Sequence, residues 1–374
     1  MNLPIDVATL PPPAQKILDP KSPAPLRAMA AKGIAPGLKP GDAITVVVLL
    51  SLSDDATLAA AANATLQKLP APLLNGALSS ALHTSVLDVL APLYAHDVAT
   101  MEKLLAQPNI DPSTVAAVAA RANEQVAELV ATNEVKLLAN PVIIEKLYMN
   151  KATRMSTADR LLELAVRNKI ELTGIPAFRE AAAAIVDELI MEASDEPTPD
   201  DELFKETEDV AAALEIDPSK EDTVEIDEET GEEAVRDKFL PLHAQLGKMT
   251  VSQKIRRAML GSATERSLLV RDRNRLVAQA VVRSQMIQEN EIVRISASRQ
   301  VPEDVIRIVF QDKRWSSSHQ VKLNLVQNPR CPLAFSSRLI AHLREHELKA
   351  LAKSKNVSGA IAKACKQQLE RKTK

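Results

Sequence analysis

Signals for the start of a helix recur at a nearly fixed interval in both halves of the sequence, and this periodicity limits the possible folds most. Each signal is an apolar residue, here called an anchor, followed by residues that satisfy or tolerate the free backbone amides of a first helical turn. In the second half the anchors are Ile287, Val301, Trp315, Cys331 and Val357, with gaps of 14, 14, 16 and 26 residues, and Leu343 divides the last gap. In the first half they are Leu69, Leu82, Ala95 and Ile110, with gaps of 13, 13 and 15 residues. An interval of about 14 residues indicates short helices in a repeated arrangement.

A recurring pattern at predicted helix ends supports the same organisation. Apolar residues are followed by Gln107-Pro108, Asn140-Pro141 and Asn328-Pro329, and the proline prevents the helix from continuing. A helix of about ten residues, ~15 Å long, buries one apolar stripe and is marginal by itself in water. Neighbouring helices must therefore supply the missing burial. The sequence predicts an all-α fold, an α-solenoid of short stacked helices.

Two consecutive helices form a unit of about 28–30 residues, and such units resemble the HEAT-like or leucine-rich-variant repeats of bacterial helical solenoid proteins. The resemblance covers most of residues 40–190 and 250–370. It implies a curved surface that binds partners, and no particular reaction.

The charge of the chain is divided unevenly along its length. The formal net charge is −3, but residues 1–193 carry 16 basic and 20 acidic groups, residues 194–237 carry 3 and 19, and residues 238–374 carry 27 and 10. These counts give net charges of −4, −16 and +17. The sequence therefore predicts an N-terminal helical repeat block at 1–193, an acidic linker at 194–237 and a basic C-terminal helical repeat block at 238–374.

The acidic linker combines high charge with few large apolar residues. Such a composition buries too little apolar surface to offset the entropy lost on ordering, so a mostly disordered tether is predicted. A short helix at Glu208–Leu214 or a hairpin across Thr223–Val235 is expected only transiently. A further hypothesis is that this linker folds back over the basic block and competes with anionic partners.

Composition excludes several classes of function. Only 9 glycines are present and the sequence contains no phosphate-binding or dinucleotide-binding fingerprint, so no cofactor is predicted. Two cysteines are too few for a disulfide framework. Neither a secretory leader nor a stretch of ~18 apolar residues is apparent, so a cytoplasmic protein without a membrane span is expected.

One segment matches a catalytic motif. His342-Leu343-Arg344-Glu345-His346 fits the H-x-x-E-H pattern of certain zinc proteases, in which both histidines lie on one helix. Leu343, however, falls where the repeat predicts a turn, so the match is interpreted as fortuitous and no metal or catalytic residue is predicted. Cys331 and Cys365 occupy apolar positions and are interpreted as core residues.

The basic block carries the candidate binding residues. Guanidinium groups hold phosphates and carboxylates through charge and bidentate hydrogen bonds. Stacked helices would align one or two cations per helix into a stripe, although a solvated helix face explains such charges equally well. The candidates for contacts with an anion or a partner are Arg271, Arg275, Arg283, Arg294, Arg299, Arg307, Lys313, Arg314, Lys322 and Arg330.

Two functions are consistent with these features. The first is a non-enzymatic scaffold or adaptor that binds protein partners through its helical-repeat surfaces. The alternative is a nucleic-acid binder that contacts the phosphate backbone through the basic block and is regulated by the acidic linker. The aromatic content of 2% argues against stacking on single-stranded bases.

Overall fold

The computed structural model describes residues 5–186, 190, 194, 196–226, 232–354 and 356–373. These residues form two compact units, an N-terminal unit (residues 1–161) and a C-terminal unit (residues 162–374), and helix α12 crosses the boundary. Apart from one short hairpin, the regular structure described is helical. The predicted all-α, repeat-like fold is therefore confirmed.

The N-terminal unit begins with a 3-10 helix at Val7–Thr9. The α-helices that follow it are α1 (Pro12–Leu18), α2 (Ala24–Ala31), α3 (Pro40–Ser51), α4 (Ala56–Gln67), α5 (Ala71–Leu78), α6 (Thr84–Leu93), α7 (Val98–Leu105), α8 (Pro112–Ala119), α9 (Glu124–Ala131), α10 (Glu134–Ala139), α11 (Pro141–Tyr148) and α12 (Met155–Arg167).

The C-terminal unit contains the remaining elements. They are α13 (Phe178–Ile185), α14 (Pro199–Ala213), β1 (Val224–Ile226), β2 (Glu233–Val235), a 3-10 helix at Asp237–Phe239, α15 (Leu240–Lys248), α16 (Val251–Leu260), α17 (Ala263–Leu269), α18 (Arg275–Arg283), α19 (Glu289–Ala297), α20 (Glu303–Gln311), α21 (Lys313–Ser316), α22 (His319–Gln327), α23 (Leu333–Ile340), α24 (Glu345–Lys353) and α25 (Gly359–Thr373).

The predicted helix starts arise from local capping. The carboxylates of Asp97 and Asp111 accept hydrogen bonds from the first-turn amides of α7 and α8. The preceding anchor Ala95 is buried, as are Leu82 and Val301 at the starts of α6 and α20. Such anchors fix the chain against the neighbouring helix where the next helix begins.

The helix start predicted after Trp315 is wrong. Trp315 lies inside the short helix α21, because the side chain of Asp312 accepts a hydrogen bond from the amide of Arg314 and starts the helix at Lys313. The helix after it, α22, begins at His319, following Ser318.

Helices pack on the next helix along the chain and also on the helix two places further along. In the N-terminal unit α1 contacts α3, α3 contacts α5, and α6 contacts α8. In the C-terminal unit α16 contacts α18, and α18 contacts α20. This order places alternate helices in the same layer, as expected for stacked two-helix units.

Asparagine side chains connect successive two-helix units. Each donates its Nδ2 hydrogen to a backbone carbonyl oxygen 27 to 30 residues earlier, in the connection between two helices of the preceding unit. The pairs are Asn109 with Leu82 (3.0 Å), Asn123 with His96 (3.0 Å), Asn150 with Ala122 (2.8 Å) and Asn328 with Ser298 (2.8 Å). The same bond therefore recurs in both units at the spacing that the sequence predicts.

The acidic segment, defined as residues 194–237, differs from the mostly disordered tether predicted for it. Helix α14 begins with a capping box formed by Thr198 and Asp201, and β1 pairs antiparallel with β2, with Val224 opposite Val235. The hairpin expected only transiently is thus part of the fold. The helix expected at 208–214 is the end of the longer α14. Of the described residues, those of the acidic segment belong to the C-terminal unit.

Long-range contacts explain why the acidic segment folds. Phe204 of α14 is buried with its ring 4.8 Å from the guanidinium of Arg257. The hydroxyl of Thr264 accepts a hydrogen bond from the amide of Ile216 (3.1 Å) and lies 3.1 Å from the carbonyl oxygen of Leu214. The segment lacks enough apolar surface of its own, and the arginine-rich helices supply the partners.

Candidate anion-binding site

Three arginines near the start of the basic block lie in the core. Arg256 and Arg257 are fully buried side chains of α16, and Arg266 of α17 is also buried. Arg257 Nε lies 2.6 Å from Glu265 Oε1, and both nitrogens of one edge of Arg266 bond the carboxylate of Glu291 at 2.8 and 2.9 Å. These cations hold helices together and are not available to a ligand.

Arg271, just after α17, lies at the centre of the contact between the acidic segment and the basic helices. Its Nε donates to Glu233 Oε2 at 2.6 Å, and its Nη1 donates to the Ser267 carbonyl oxygen at 2.6 Å. Its Nη2 lies 3.9 Å from Asp222 Oδ2. Only 12% of the side chain is exposed. Two carboxylates of the acidic segment therefore flank one guanidinium.

The carboxylate of Glu233 sits in a group of converging donors. Besides Arg271, the Ser298 hydroxyl donates at 3.0 Å and the Arg299 backbone N–H donates to the other oxygen at 3.2 Å. The Gln300 side-chain amide donates to the Glu233 carbonyl oxygen at 3.0 Å. The Glu233 side chain is 7% exposed. We call Arg271, Ser298 and the Arg299 N–H the carboxylate cradle.

Asp222 makes a second attachment beside the cradle. Its Oδ1 accepts from the Ser267 hydroxyl at 2.9 Å and from the Thr223 amide at 2.8 Å. Arg294 Nη1 lies 3.5 Å from its Oδ2 and also donates to the Glu221 carbonyl oxygen. The hairpin is thus fixed by a carboxylate at each strand.

A cleft of about 250 Å³ opens next to the cradle. Its apolar lining comes from the hairpin and from helices α15 and α17, and its charged lining includes Arg271 with Glu233 and Lys254 with Asp272, the second pair 3.0 Å apart. The residues that line it are Val224, Glu233, Val235, His243, Leu246, Gly247, Lys254, Leu268, Leu269, Arg271, Asp272 and Gln300. The cleft combines an apolar wall with charges of both signs.

The structure brings together only part of the predicted binding set. Arg271, Arg294 and the backbone of Arg299 surround the acidic segment, and Arg330 Nε donates to the Arg299 carbonyl oxygen at 3.1 Å. Lys313 and the Arg299 side chain are exposed. Other members bond partners outside the acidic segment: Arg275 with Asp304 (3.5 Å), Arg283 with Glu180 (2.8 Å), Arg307 with Glu303 (2.6 Å), Arg314 with Asp312 (2.6 Å) and Lys322 with the Ser317 carbonyl oxygen (2.9 Å).

The Asp312–Arg314 pair joins residues of the same helix start. The hydrogen bond from the Arg314 side chain lowers the pKa of Asp312 and raises the pKa of Arg314. The carboxylate also accepts the backbone N–H of Arg314. Arg314 therefore supports the start of α21 as well as presenting charge to solvent.

Several residues in and around the cradle could not be predicted from the sequence. Ser298, Gln300 and Ser267 carry no motif, and Glu233 lies 65 and 38 residues from its partners Ser298 and Arg271. The sequence shows only that the acidic segment and the basic block carry opposite net charges, and this does not specify which residues form pairs.

The protease-like motif does not have the geometry that zinc binding would need. Leu343 is in the turn between α23 and α24, so His342 and His346 do not share a helix, as the repeat predicts. Within the described ranges, no group of three or more His, Cys, Asp or Glu side chains is arranged to hold a metal ion.

The two cysteines are core residues, as predicted. Cys331 and Cys365 are buried free thiols, and burial raises the pKa of each. Among the helices that the structure describes, none is both long and apolar enough to span a bilayer.

Comparison with known proteins gives no relative: no protein family, curated protein or solved structure matches this chain.

Proposed function

We propose that the protein is a non-enzymatic scaffold or adaptor of the HEAT-like kind, which binds protein partners through the surfaces of its helical units. The observation that supports the proposal is the set of four recurring asparagine hydrogen bonds at Asn109, Asn123, Asn150 and Asn328, here called the asparagine ladder, because these bonds join successive helix pairs in both units. Stacks of this kind present long, regular surfaces whose side chains vary without disturbing the core. Buried free thiols fit a reducing compartment, and the cytoplasm is the proposed location.

The two units offer different chemistry to partners. The N-terminal unit exposes the large apolar residues Val135 and Val142 on the consecutive helices α10 and α11. The C-terminal unit exposes guanidinium groups, among them Arg307 and Arg314 on α20 and α21. An adaptor needs two such distinguishable surfaces.

The test is partner capture by the full chain with surface variants. We expect wild type to retain at least one protein in stoichiometric amount. Either Val135→Glu with Val142→Glu or Arg307→Glu with Arg314→Glu should lose it, whereas the exposed control Glu102→Gln should retain it. If all four proteins capture the same set, or none captures a stoichiometric partner, the scaffold proposal is wrong.

A second function, binding to the phosphate backbone of nucleic acid, is favoured by a different observation. Arg275, Arg307 and Arg314 are well exposed on α18, α20 and α21, and none of the contacts described here joins them to the acidic segment. Under this proposal the acidic segment regulates binding by neutralising the neighbouring arginines. Affinity of the full chain for duplex DNA should then fall steeply between about 50 and 200 mM salt. No binding at about 50 mM salt would exclude this function.

A further inference from the structure

We propose that the carboxylate cradle is a binding site for an extended acidic segment of a partner protein, and that Glu233 fills this site in the free chain. The inference rests on the proposed scaffold function, because it names the chemistry of one partner and the residues that recognise it.

The first argument is the number of donors that converge on one carboxylate. Arg271 and Ser298 approach one oxygen of Glu233, and the Arg299 N–H approaches the other. Surface ion pairs in general involve one flexible cation and contribute little. A nearly buried carboxylate with a guanidinium, a hydroxyl and a main-chain N–H has the composition of an anion-binding site.

The second argument is that the present occupant is itself an extended acidic strand. Glu233 begins β2, and the carbonyl oxygen of the same residue accepts a hydrogen bond from Gln300. The site therefore recognises main chain as well as side chain. A peptide with a carboxylate on an extended backbone would reproduce both contacts.

The third argument is that the β1–β2 hairpin, which carries Glu233, has little stability of its own. Strands β1 and β2 have three residues each, and a two-stranded hairpin of this size is marginal alone. The hairpin thus depends on the bonds at Glu233 and Asp222, which a competing acidic segment would replace.

The fourth argument is the space beside the cradle. On its helix side, the cleft of about 250 Å³ is lined by Leu246, Lys254 and Leu268 together with Arg271, and these residues remain in place when the hairpin is displaced. It gives room for a neighbouring apolar side chain of the incoming segment. Lys254, which now pairs with Asp272, supplies a second cation for its next acid.

The experiment uses a labelled synthetic peptide with the sequence of residues 219–236 as the acidic probe and the full chain as host. Removing the internal occupant with Glu233→Ala should tighten probe binding roughly tenfold or more over wild type, because a competing charged hydrogen-bonded group is lost. Glu225→Ala is the matched control, since it removes an exposed carboxylate from the same hairpin, and it should bind the probe as wild type does.

The probe itself carries a second control. In the Glu233→Ala host, a probe that carries Glu233→Gln should bind roughly tenfold or more weakly than the unaltered probe. A probe with glutamine at position 225 should bind as well as the unaltered one. Adding Arg271→Ala to the host should abolish the preference for Glu233. Equal binding of the two altered probes, or a preference that survives Arg271→Ala, would overturn the proposal.

Competition distinguishes the chemical source of the anion. Inorganic phosphate or duplex DNA that displaces the probe from the Glu233→Ala host at a lower concentration than unlabelled probe would overturn the assignment to an acidic protein segment. Displacement by the unlabelled probe alone supports it.

A measurement on the wild type covers the case in which Glu233→Ala does not fold. Excess probe should accelerate amide hydrogen exchange at residues 232–236 of the wild-type chain, and unchanged exchange there would refute the proposal. Failure of the scaffold proposal can be told apart from failure of the cradle proposal. A chain that captures no protein partner would reject the scaffold, yet its cradle would still bind the unaltered probe more tightly than the probe that carries Glu233→Gln. Conversely, partner capture without that preference would reject only the cradle.

Discussion

Arg257 bonds one buried carboxylate of the core and one partly exposed carboxylate of the acidic segment. Removing each carboxylate in turn therefore tests how much each contact contributes to stability. Arg257 Nε lies 2.6 Å from Glu265, whose side chain is 1% exposed, and Arg257 Nη1 lies 3.3 Å from Glu208, whose side chain is 36% exposed. The Arg257 side chain is 2% exposed. Removing either acid leaves the same buried guanidinium with one charged partner.

We expect Glu265→Ala to lower the free energy of unfolding by about 4–6 kcal/mol. Breaking a buried ion pair costs ~3–5 kcal/mol, and the Arg257 guanidinium then keeps only the solvated carboxylate of Glu208 at 3.3 Å. Another ~1 kcal/mol is lost because Glu265 also accepts the Ser262 amide in the capping box of α17. Glu208→Ala should cost at most ~1 kcal/mol, since a solvated acid of this kind contributes little.

Urea unfolding of the full chain, followed by circular dichroism, measures both losses in the transition of the C-terminal unit. The paired replacement Arg257→Met with Glu265→Leu should recover most of the loss, because replacing a whole buried pair is often close to neutral. Equal effects of Glu265→Ala and Glu208→Ala would refute the reasoning. A free energy of unfolding for the paired variant no higher than that of Glu265→Ala would also refute the reasoning.

Three further predictions test other parts of the fold. Asn328→Ala should destabilise the chain by about 2 kcal/mol in urea unfolding, because two buried carbonyl oxygens at 2.8 Å lose their donor; a loss below ~0.5 kcal/mol would argue against the asparagine ladder. Gly261→Ala should cost ~1–3 kcal/mol by the same assay, since a Cβ there would lie 2.5 Å from the carboxylate of Glu265 and from a carbonyl oxygen of α16. A urea unfolding midpoint equal to that of wild type would contradict that clash. Hydrogen bonds from Thr100 and Ser113 lower the pKa of Asp97 and Asp111 below 3.8, so the stability they contribute is present above pH ~4 and is lost as pH falls through the folded pKa values. Asp97→Asn with Asp111→Asn keeps the caps and should flatten the dependence of the free energy of unfolding on pH between about 5 and 2; an unchanged slope would show that these caps do not titrate with folding.

The helical architecture could be predicted because its signals are local. Asp97 and Asp111 cap helices within their own first turn, and apolar anchors such as Leu82 and Val301 directly precede the helices they fix. The regular interval between these signals then predicts stacking. Leu343 illustrates the value of this rule, since its predicted turn separates the two histidines of the protease-like motif.

The folded state of the acidic segment could not be predicted because its partners are distant in sequence. Glu233 meets Arg271 and Ser298 across 38 and 65 residues, and Phe204 stacks against Arg257. A composition rule weighs only the apolar residues of the segment itself. It takes no account of arginines elsewhere whose buried positions require carboxylates and an aromatic face. The same limitation prevented prediction of the cradle, because the predicted stripe of cations includes Arg271 but not its distant partner Glu233.

Pairing also changes how the basic block should be studied. Deleting residues 195–237 to release an anion-binding surface would also remove Phe204 and Glu208 from Arg257. It would therefore destabilise the C-terminal unit as well as expose arginines. Single substitutions at Asp222 and Glu233 separate the two effects.

Amide hydrogen exchange across the acidic segment of the full chain tests the central claim most directly, namely that this segment folds as part of the C-terminal unit. The account predicts that residues 202–213 of α14 exchange at least ~100-fold more slowly than an unstructured peptide, with protection approaching that of α16. It also predicts protection at Arg236, whose amide donates to the Thr223 carbonyl oxygen at 3.0 Å. Exchange of these amides at the rate of an unstructured chain, while α16 remains protected, would show a disordered tether and contradict the account.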